Sequence, residues 1–348
     1  MIDSKVFNVP IKQLQPSEYG PWDAYVDEHP RASFFHLSGW KRVIEEVYGH
    51  RSYFLYAEKD GRVLGVLPLA HIRSRLFSNA LISTPFCVYG GVLADTPEVA
   101  DALVEHACGL ANNLQVDYLE LRNLDTKPIG WPENDLYVTF RKTLEPDLEA
   151  NLANIPRKQR AVVRKGIGAG LRSELDADTT RFYRIYSESV RNLGTPVFPA
   201  RYFKALKQIF GPQCDVLTVT QNGLALSSVM SFYFRHEVLP YYGGGTSQAR
   251  ELKANDFMYW ELMRRAVEKG IRIFDYGRSK RGTGSFSFKR NWGFEATPLH
   301  YEYFLVKSRE IPDINPMNPK YAALIALWQR LPLSVSRLLG PMLAKNLG

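Results

Sequence analysis

Phe274-Asp-Tyr-Gly-Arg-Ser-Lys-Arg-Gly-Thr-Gly-Ser-Phe-Ser-Phe-Lys-Arg-Asn-Trp-Gly-Phe-Glu295 is the stretch from which the fold of this chain is read. Ile271–Gly277 leads into it as a strand, alternating apolar residues and ending beside Asp275. Gly277, Gly282 and Gly284 then interleave with Arg278, Lys280 and Arg281, a composition that lets backbone amides approach an anion. An aromatic run around Lys289 closes the segment.

Upstream, Tyr259, Leu262, Met263, Ala266 and Val267 have the spacing of an amphipathic helix. Leu239–Gly245 reads as a strand ending in three glycines. Val216–Thr220 and Leu224–Phe234 read as a hairpin about Asn222-Gly223, since type I′ turns want positive φ at both central residues. The first half of the chain has the same order. Helix Ser33–Val47 precedes strands Tyr53–Glu58 and Val63–Ile72 about Asp60-Gly61. Cys87–Leu93 ends a further strand, followed by helix Pro97–Gln115 and strands Val116–Arg122 and Leu136–Lys142. Tyr89 stands to Tyr242, and Arg122 to Arg278, at nearly the same offset, the mark of a duplicated unit. The division predicted is 1–145, 146–310 and a tail, 311–348. Helix Leu148–Lys165 opens the second unit and helices Thr179–Asn192 and Pro199–Phe210 enlarge it. Lys165-Gly-Ile-Gly-Ala-Gly170 has phosphate-loop spacing, but a helix precedes it and a short strand follows, the reverse of what such a loop needs.

The 348 residues carry 44 Lys and Arg against 36 Asp and Glu, a net charge of +8. The basic excess is concentrated. Arg157–Arg172 holds six basic residues, Arg278–Arg290 five and the tail after Asp313 four, all without an acid, so the remainder is net acidic. Such patches meet phosphates. Three separated cysteines exclude a disulfide framework and fit a cytoplasmic protein. Scattered histidines exclude a metal site, and neither a GxSxG elbow nor a Walker loop is present.

The Phe274–Glu295 motif, with Tyr241-Tyr-Gly-Gly-Gly and the tail elements Asn318-Pro-Lys, Leu331-Pro-Leu and Leu339-Gly-Pro, resembles the FemAB-like transferases, above all their exosortase/PEP-CTERM and exopolysaccharide-associated branch. The resemblance runs along nearly the whole chain. It implies an α/β (α+β) fold of tandem GNAT-like acyltransferase units, with mixed sheets flanked by helices and an apolar helical tail. It also implies amide formation on an amino group of a phosphate-bearing envelope glycan or exopolysaccharide precursor. The co-substrate is acyl-CoA or aminoacyl-tRNA, with no tightly bound cofactor. The absence of a long helical arm disfavours tRNA. The alternative is a non-catalytic protein that binds a glycan precursor or partner enzyme at the membrane.

By the resemblance, Lys289 lies in the acceptor cleft, where an ammonium holds phosphate or stabilises the acyl oxygen; the alternative is a surface lysine. Arg191, Tyr202 and Trp292 fall to the acceptor by the same likeness, Arg191 reaching its phosphates; a helix-surface arginine is the plainer reading. Tyr242, at a strand end, is a hydroxyl donor or a packed core residue. Asp275 is a base, an orienting carboxylate or a structural aspartate. Arg278, Lys280 and Arg281 form a mobile phosphate loop. Asn255 and Asp256 open the long helix, where such folds receive a donor's pyrophosphate, or are ordinary caps. Residues 314–348, with Trp328 and four basic residues, either pack on the body or lie on an anionic membrane surface at its cytoplasmic side.

Overall fold

The computed structural model describes residues 9–74, 79–124, 130–312 and 322–346. Its first strands are β1 (Ile11–Gln13), β2 (Arg51–Lys59), β3 (Arg62–Arg73), β4 (Asn79–Ser83), β5 (Leu93–Ala94), β6 (Tyr118–Asn123) and β7 (Glu133–Asn134), with helices α1 (Tyr19–Glu28), α2 (Gly39–Val43) and α3 (Pro97–Leu114). There follow β8 (Tyr137–Thr143), α4 (Leu148–Ala153), α5 (Arg157–Gly168), β9 (Arg172–Leu175), α6 (Thr180–Asn192) and α7 (Ala200–Phe210). Then come β10 (Cys214–Gln221), β11 (Leu224–Phe234), β12 (Glu237–Gly245), α8 (Ser247–Glu251), α9 (Ala254–Glu268), β13 (Ile273–Asp275), β14 (Ser279–Lys280) and α10 (Gly284–Asn291). The chain ends with β15 (Ala296–Pro298), β16 (His300–Leu305), α11 (Ala322–Gln329) and α12 (Leu333–Ala344).

Two mixed sheets of eight strands result. One runs β1-β2-β3-β4-β6-β16-β7 with β5 beside β3; the other runs β14-β8-β13-β12-β11-β10-β9 with β15 beside β8. Both hairpin turns are as the dipeptides require, with φ of 52° and 77° at Asp60-Gly61 and 50° and 79° at Asn222-Gly223. In the first unit Val99, Leu103, Ala107 and Ala111 of α3 bury one stripe against β2, β3 and β6. In the second, α9 buries Phe257, Met258, Leu262, Met263 and Ala266 against β10, β11 and β12.

The division into units is not linear in sequence. Met1–Asp135 groups with Leu299–Asp313, and Leu136–Pro298 with Ile314–Lys345. Strand β16, which the linear reading puts in the second unit, pairs with β6 from His300↔Asn123 to Leu305↔Tyr118. Strand β8, which it puts in the first, pairs with β13, β14 and β15. A run of alternating apolar residues records that a strand is half-buried, not which sheet takes it.

Three element predictions are corrected. Cys87–Val92 is a buried loop, not a strand, because Thr84, Phe86 and Gly90 turn the backbone through positive φ of 38°, 70° and 136°; the strand before it is β4. Ser33–Val47 is not one helix but a 3-10 turn at Phe34–His36, then α2, then a π turn. Leu148–Lys165 is two helices, broken where Pro156 lacks the N–H to continue α4. The Lys165–Gly170 glycines end α5 and no cradle forms.

Tyr301, on β16, is 1% exposed and its hydroxyl donates to the Val88 carbonyl at 2.6 Å. Tyr301→Ala should cost ~3–5 kcal/mol in urea unfolding and raise hydrogen exchange in the β6 amides. Faster exchange confined to the second sheet would contradict the strand assignment.

Candidate active site

The second sheet opens at one place. Strands β12 and β13 are parallel and pair only at Glu237↔Ile273 and Val238↔Phe274. Beyond that point β12 runs on to Gly245 against β11 alone. Pro240 has no N–H for a ladder, and Tyr241 is bulged, since Ser231 pairs with Pro240 and Met230 with Tyr242. Tyr259 of α9 occupies the parting. A Cβ at Gly243 would lie 2.9 Å from its hydroxyl, and its ring is 5.0 Å from that of Tyr276, just after β13. Gly244 lets α6 close over the strand, for a Cβ there would come within 2.6 Å of Ser189 Cβ.

Phenols line this region. The Tyr242 and Tyr202 hydroxyls share a hydrogen bond of 2.7 Å, so both sequence-predicted tyrosines meet. Tyr186 of α6 stands edge-on to Tyr242 at 5.8 Å. Burial pushes the phenols of Tyr186, Tyr259 and Tyr276 upward, Tyr259 to about 12, so they stay protonated near neutrality and keep a proton to donate. The Tyr276 hydroxyl is buried with no hydrogen-bond partner among the described residues. Sequence reading passed over Tyr186, Tyr259 and Tyr276, because each sits in a helix or strand pattern that burial alone explains.

The glycine run leads to the start of α9. The Asn255 side chain lies against Gly245, and its Oδ1, like Thr246 Oγ1, is buried with no partner among the described residues. Asp256 accepts a hydrogen bond from the Gln159 side chain of α5, while burial pushes its carboxyl up. Helix α5 packs on α9 through Gly166, where a Cβ would be 3.0 Å from Phe257 Cβ. It carries Arg157, Lys158, Arg164 and Lys165 exposed. The first basic cluster therefore lies on the helix packed against α9.

The opening motif folds differently from the expectation of a mobile phosphate loop. Arg278 and Lys280 stack over Tyr137 at 4.7 and 5.4 Å, and Ser279–Lys280 pairs with β8. The Arg281 N–H donates to the Leu136 carbonyl at 3.1 Å, and Thr283 caps α10. Asp275 is fully buried; it accepts the Gly277 N–H at 2.7 Å and the Thr139 hydroxyl at 3.3 Å, with Arg141 Nε 3.5 Å away. Lys289 does not face an open cleft. It is 9% exposed, and Nζ donates to the Gly277 and Arg278 carbonyls, both at 2.9 Å. Burial lowers its pKa to about 7, opposed by Asp275 and assisted by Arg278. Trp292, expected at the acceptor, is a core residue with 0% exposure, because the turn after α10 tucks its ring among Tyr259, Tyr276 and Phe288. Arg191 donates to the Leu331 carbonyl at 3.0 Å and the Gln329 carbonyl at 3.5 Å, so the tail occupies the guanidinium expected on phosphate.

In the first unit, Tyr89 lines a small, half-open pocket together with His36, Gly91 and Arg122. Arg122 there is tied to Glu120 and to the Cys87 carbonyl, both at 2.7 Å. Among the described residues no three His, Cys, Asp or Glu side chains group to hold a metal. Burial pushes the Cys214 thiol up to about 12, which makes it a poor nucleophile.

Residues 151–290 match the acetyltransferase (GNAT) domain family. No curated protein matches the sequence at a significant level. Among solved structures, FemX superposes with a TM-score of 0.69 at 14% identity over 86% of this chain and 98% of its own. The C-terminal domain of a putative lysylphosphatidylglycerol synthetase from Agrobacterium fabrum gives 0.58 at 12% identity, over 82% and 91%. A tandem GNAT protein from the clavulanic acid biosynthesis pathway gives 0.54 at 14%, over 85% and 98%. The match to the GNAT-type acetyltransferase domain thus falls in the second unit, within a tandem GNAT-like fold.

Proposed function

We propose that this protein is an N-acyltransferase that moves an acyl group from a coenzyme A thioester to an amino group. The observation that carries the reading is the parting of β12 and β13 beside the start of α9. A thioester fits it as co-substrate. Asn255 Oδ1 and Thr246 Oγ1 are orphaned there and can accept from amide N–H groups of a pantetheine-like arm, and the basic face of α5 suits its phosphates. Aminoacyl-tRNA has the weaker support, there being no long helical arm for it among the described residues.

In the reaction a neutral amine attacks the thioester carbonyl. A C–N bond forms, the C–S bond breaks, and the thiolate takes a proton as the amine nitrogen loses one. Tyr242, held by Tyr202, is the donor we assign to the leaving sulfur. Lys289 we assign as a positioning residue. A neutral amine has two N–H donors, matching the two carbonyls it meets, and so holds the Gly277–Arg278 turn. The acceptor class follows the FemAB-like resemblance: an aminosugar or amine of a phosphate-bearing envelope glycan or exopolysaccharide precursor, within an exosortase-linked system. The tail's hold on Arg191 favours a second reading, a fold kept for binding alone.

Free thiol release should be detectable when purified protein is mixed with acyl-CoA and nucleotide-linked aminosugars. Turnover with any such pair rejects the binding-only reading, and transfer from aminoacyl-tRNA alone would replace the donor. Tyr242→Phe keeps the ring packing and should lower kcat by about 100-fold with KM for the thioester little changed; unaltered kcat removes Tyr242 from the chemistry.

Lys289 makes a separate prediction. With its pKa held at about 7, the folded chain binds fewer protons than the unfolded one up to the ordinary lysine value of ~10.4. Stability should therefore rise with pH above about 7. Urea midpoints taken from neutral to alkaline pH should climb more steeply for the native chain than for Lys289→Met, and equal slopes would contradict this.

A further inference from the structure

The C-terminal helices are inside out. On α12 the most deeply buried residues are small or polar, with Leu333, Val335 and Leu343 half-buried beside them: Ser336 and Ala344 are 1% exposed, and Gly340 is buried where a Cβ would be 2.9 Å from the Val197 backbone. Arg337 also points inward, donating to Ser187 Oγ at 2.8 Å and to the Arg184 carbonyl at 3.2 Å. Leu338 is 72% exposed and Leu339 39%. Helix α11 repeats the pattern. Ile325 sits on Gly194, and the Gln329 side chain donates to the Asn192 carbonyl at 3.2 Å, while Leu324 and Leu327 are 63% and 62% exposed. Both helices rest on α6, and Leu193, next to the Ile325 contact, is 70% exposed. A helix facing only water would present the opposite side, and singly scattered leucines would need no explanation. Here five lie on two helices and the end of the helix that carries them.

We propose that this outward face of α11 and α12 rests on an anionic lipid surface. The charge selects the partner. Residues 322–346 contain Arg330, Arg337 and Lys345 and no acid, with Arg330 exposed. A leucine face beside cations and no anions suits lipid phosphates better than a protein surface, which would be met by a rim of both signs. Among the described residues no helix is long and apolar enough to cross a membrane, so the pair lies on the surface and does not span it. Residues 313–321 and 347–348 of the tail lie outside the described residues.

Flotation of the full chain with phosphatidylcholine vesicles, with and without one-third phosphatidylglycerol, tests this directly. The protein should float with the anionic vesicles at low salt, and less so at high salt. Leu338→Glu and the pair Leu324→Glu/Leu327→Glu should each weaken partitioning by about tenfold or more, with thermal midpoints little changed because these side chains are 62–72% exposed. Leu338→Ser serves as a milder variant with the same expected direction. No flotation of the native chain, or flotation indifferent to these substitutions, overturns the proposal. So does a dimer in sedimentation velocity that Leu338→Glu dissolves, which would make a second copy the occupant.

Discussion

Everything at the candidate site depends on two strands that pair for two residues and then separate. Parallel neighbours lose nothing by pairing further unless something stands between them, and Tyr259 does, wedged between Gly243 and Tyr276. Pro240 and the bulge at Tyr241 make the separation inexpensive, since the backbone there has already left ladder geometry. The parting leaves a strand edge inside the sheet, beside a helix start that orients positive dipole toward it. Glycine at 243, 244 and 245 is required at such a place, because α6, α9 and the Asn255 side chain come in closer than a Cβ permits.

The Phe274–Glu295 segment supports that arrangement from beneath. Asp275 and Lys289 secure the same turn from opposite chemical sides, the carboxylate taking the Gly277 N–H and the amine giving to the Gly277 carbonyl. A group that is fully paired to backbone holds a shape; it is not available to a substrate. Unspent hydrogen-bonding capacity lies at Thr246 and Asn255 outside the segment and at the Tyr276 hydroxyl within it. The motif that is most conspicuous in the sequence is thus the framework, and the reactive groups we assign come from β12 and α7.

Much of the fold was legible because local rules govern it. Asn222-Gly223 and Asp60-Gly61 demand their turns, and Leu224–Phe234 is a strand to the residue. Helix α9 follows from its apolar stripe. The failures share one cause. The buried loop at Cys87–Val92 is apolar enough to pass for a strand, and Trp292 lies in a motif that suggests a surface role. Arg191 had no local reason to prefer tail carbonyls over phosphate. In each, the deciding partner is remote in sequence.

The order of strands and helices, the repeated unit and the concentration of basic charge are properties of the sequence by itself, since each arises from spacing, turn chemistry or composition within a few residues. Which sheet received β8 and β16, where β12 left β13, and which side of the tail helices met the body were decided only by tertiary structure. Those outcomes turn on competition among distant surfaces for the same half-buried elements. A periodicity of two or of 3.6 states that a face is to be covered, but not by what.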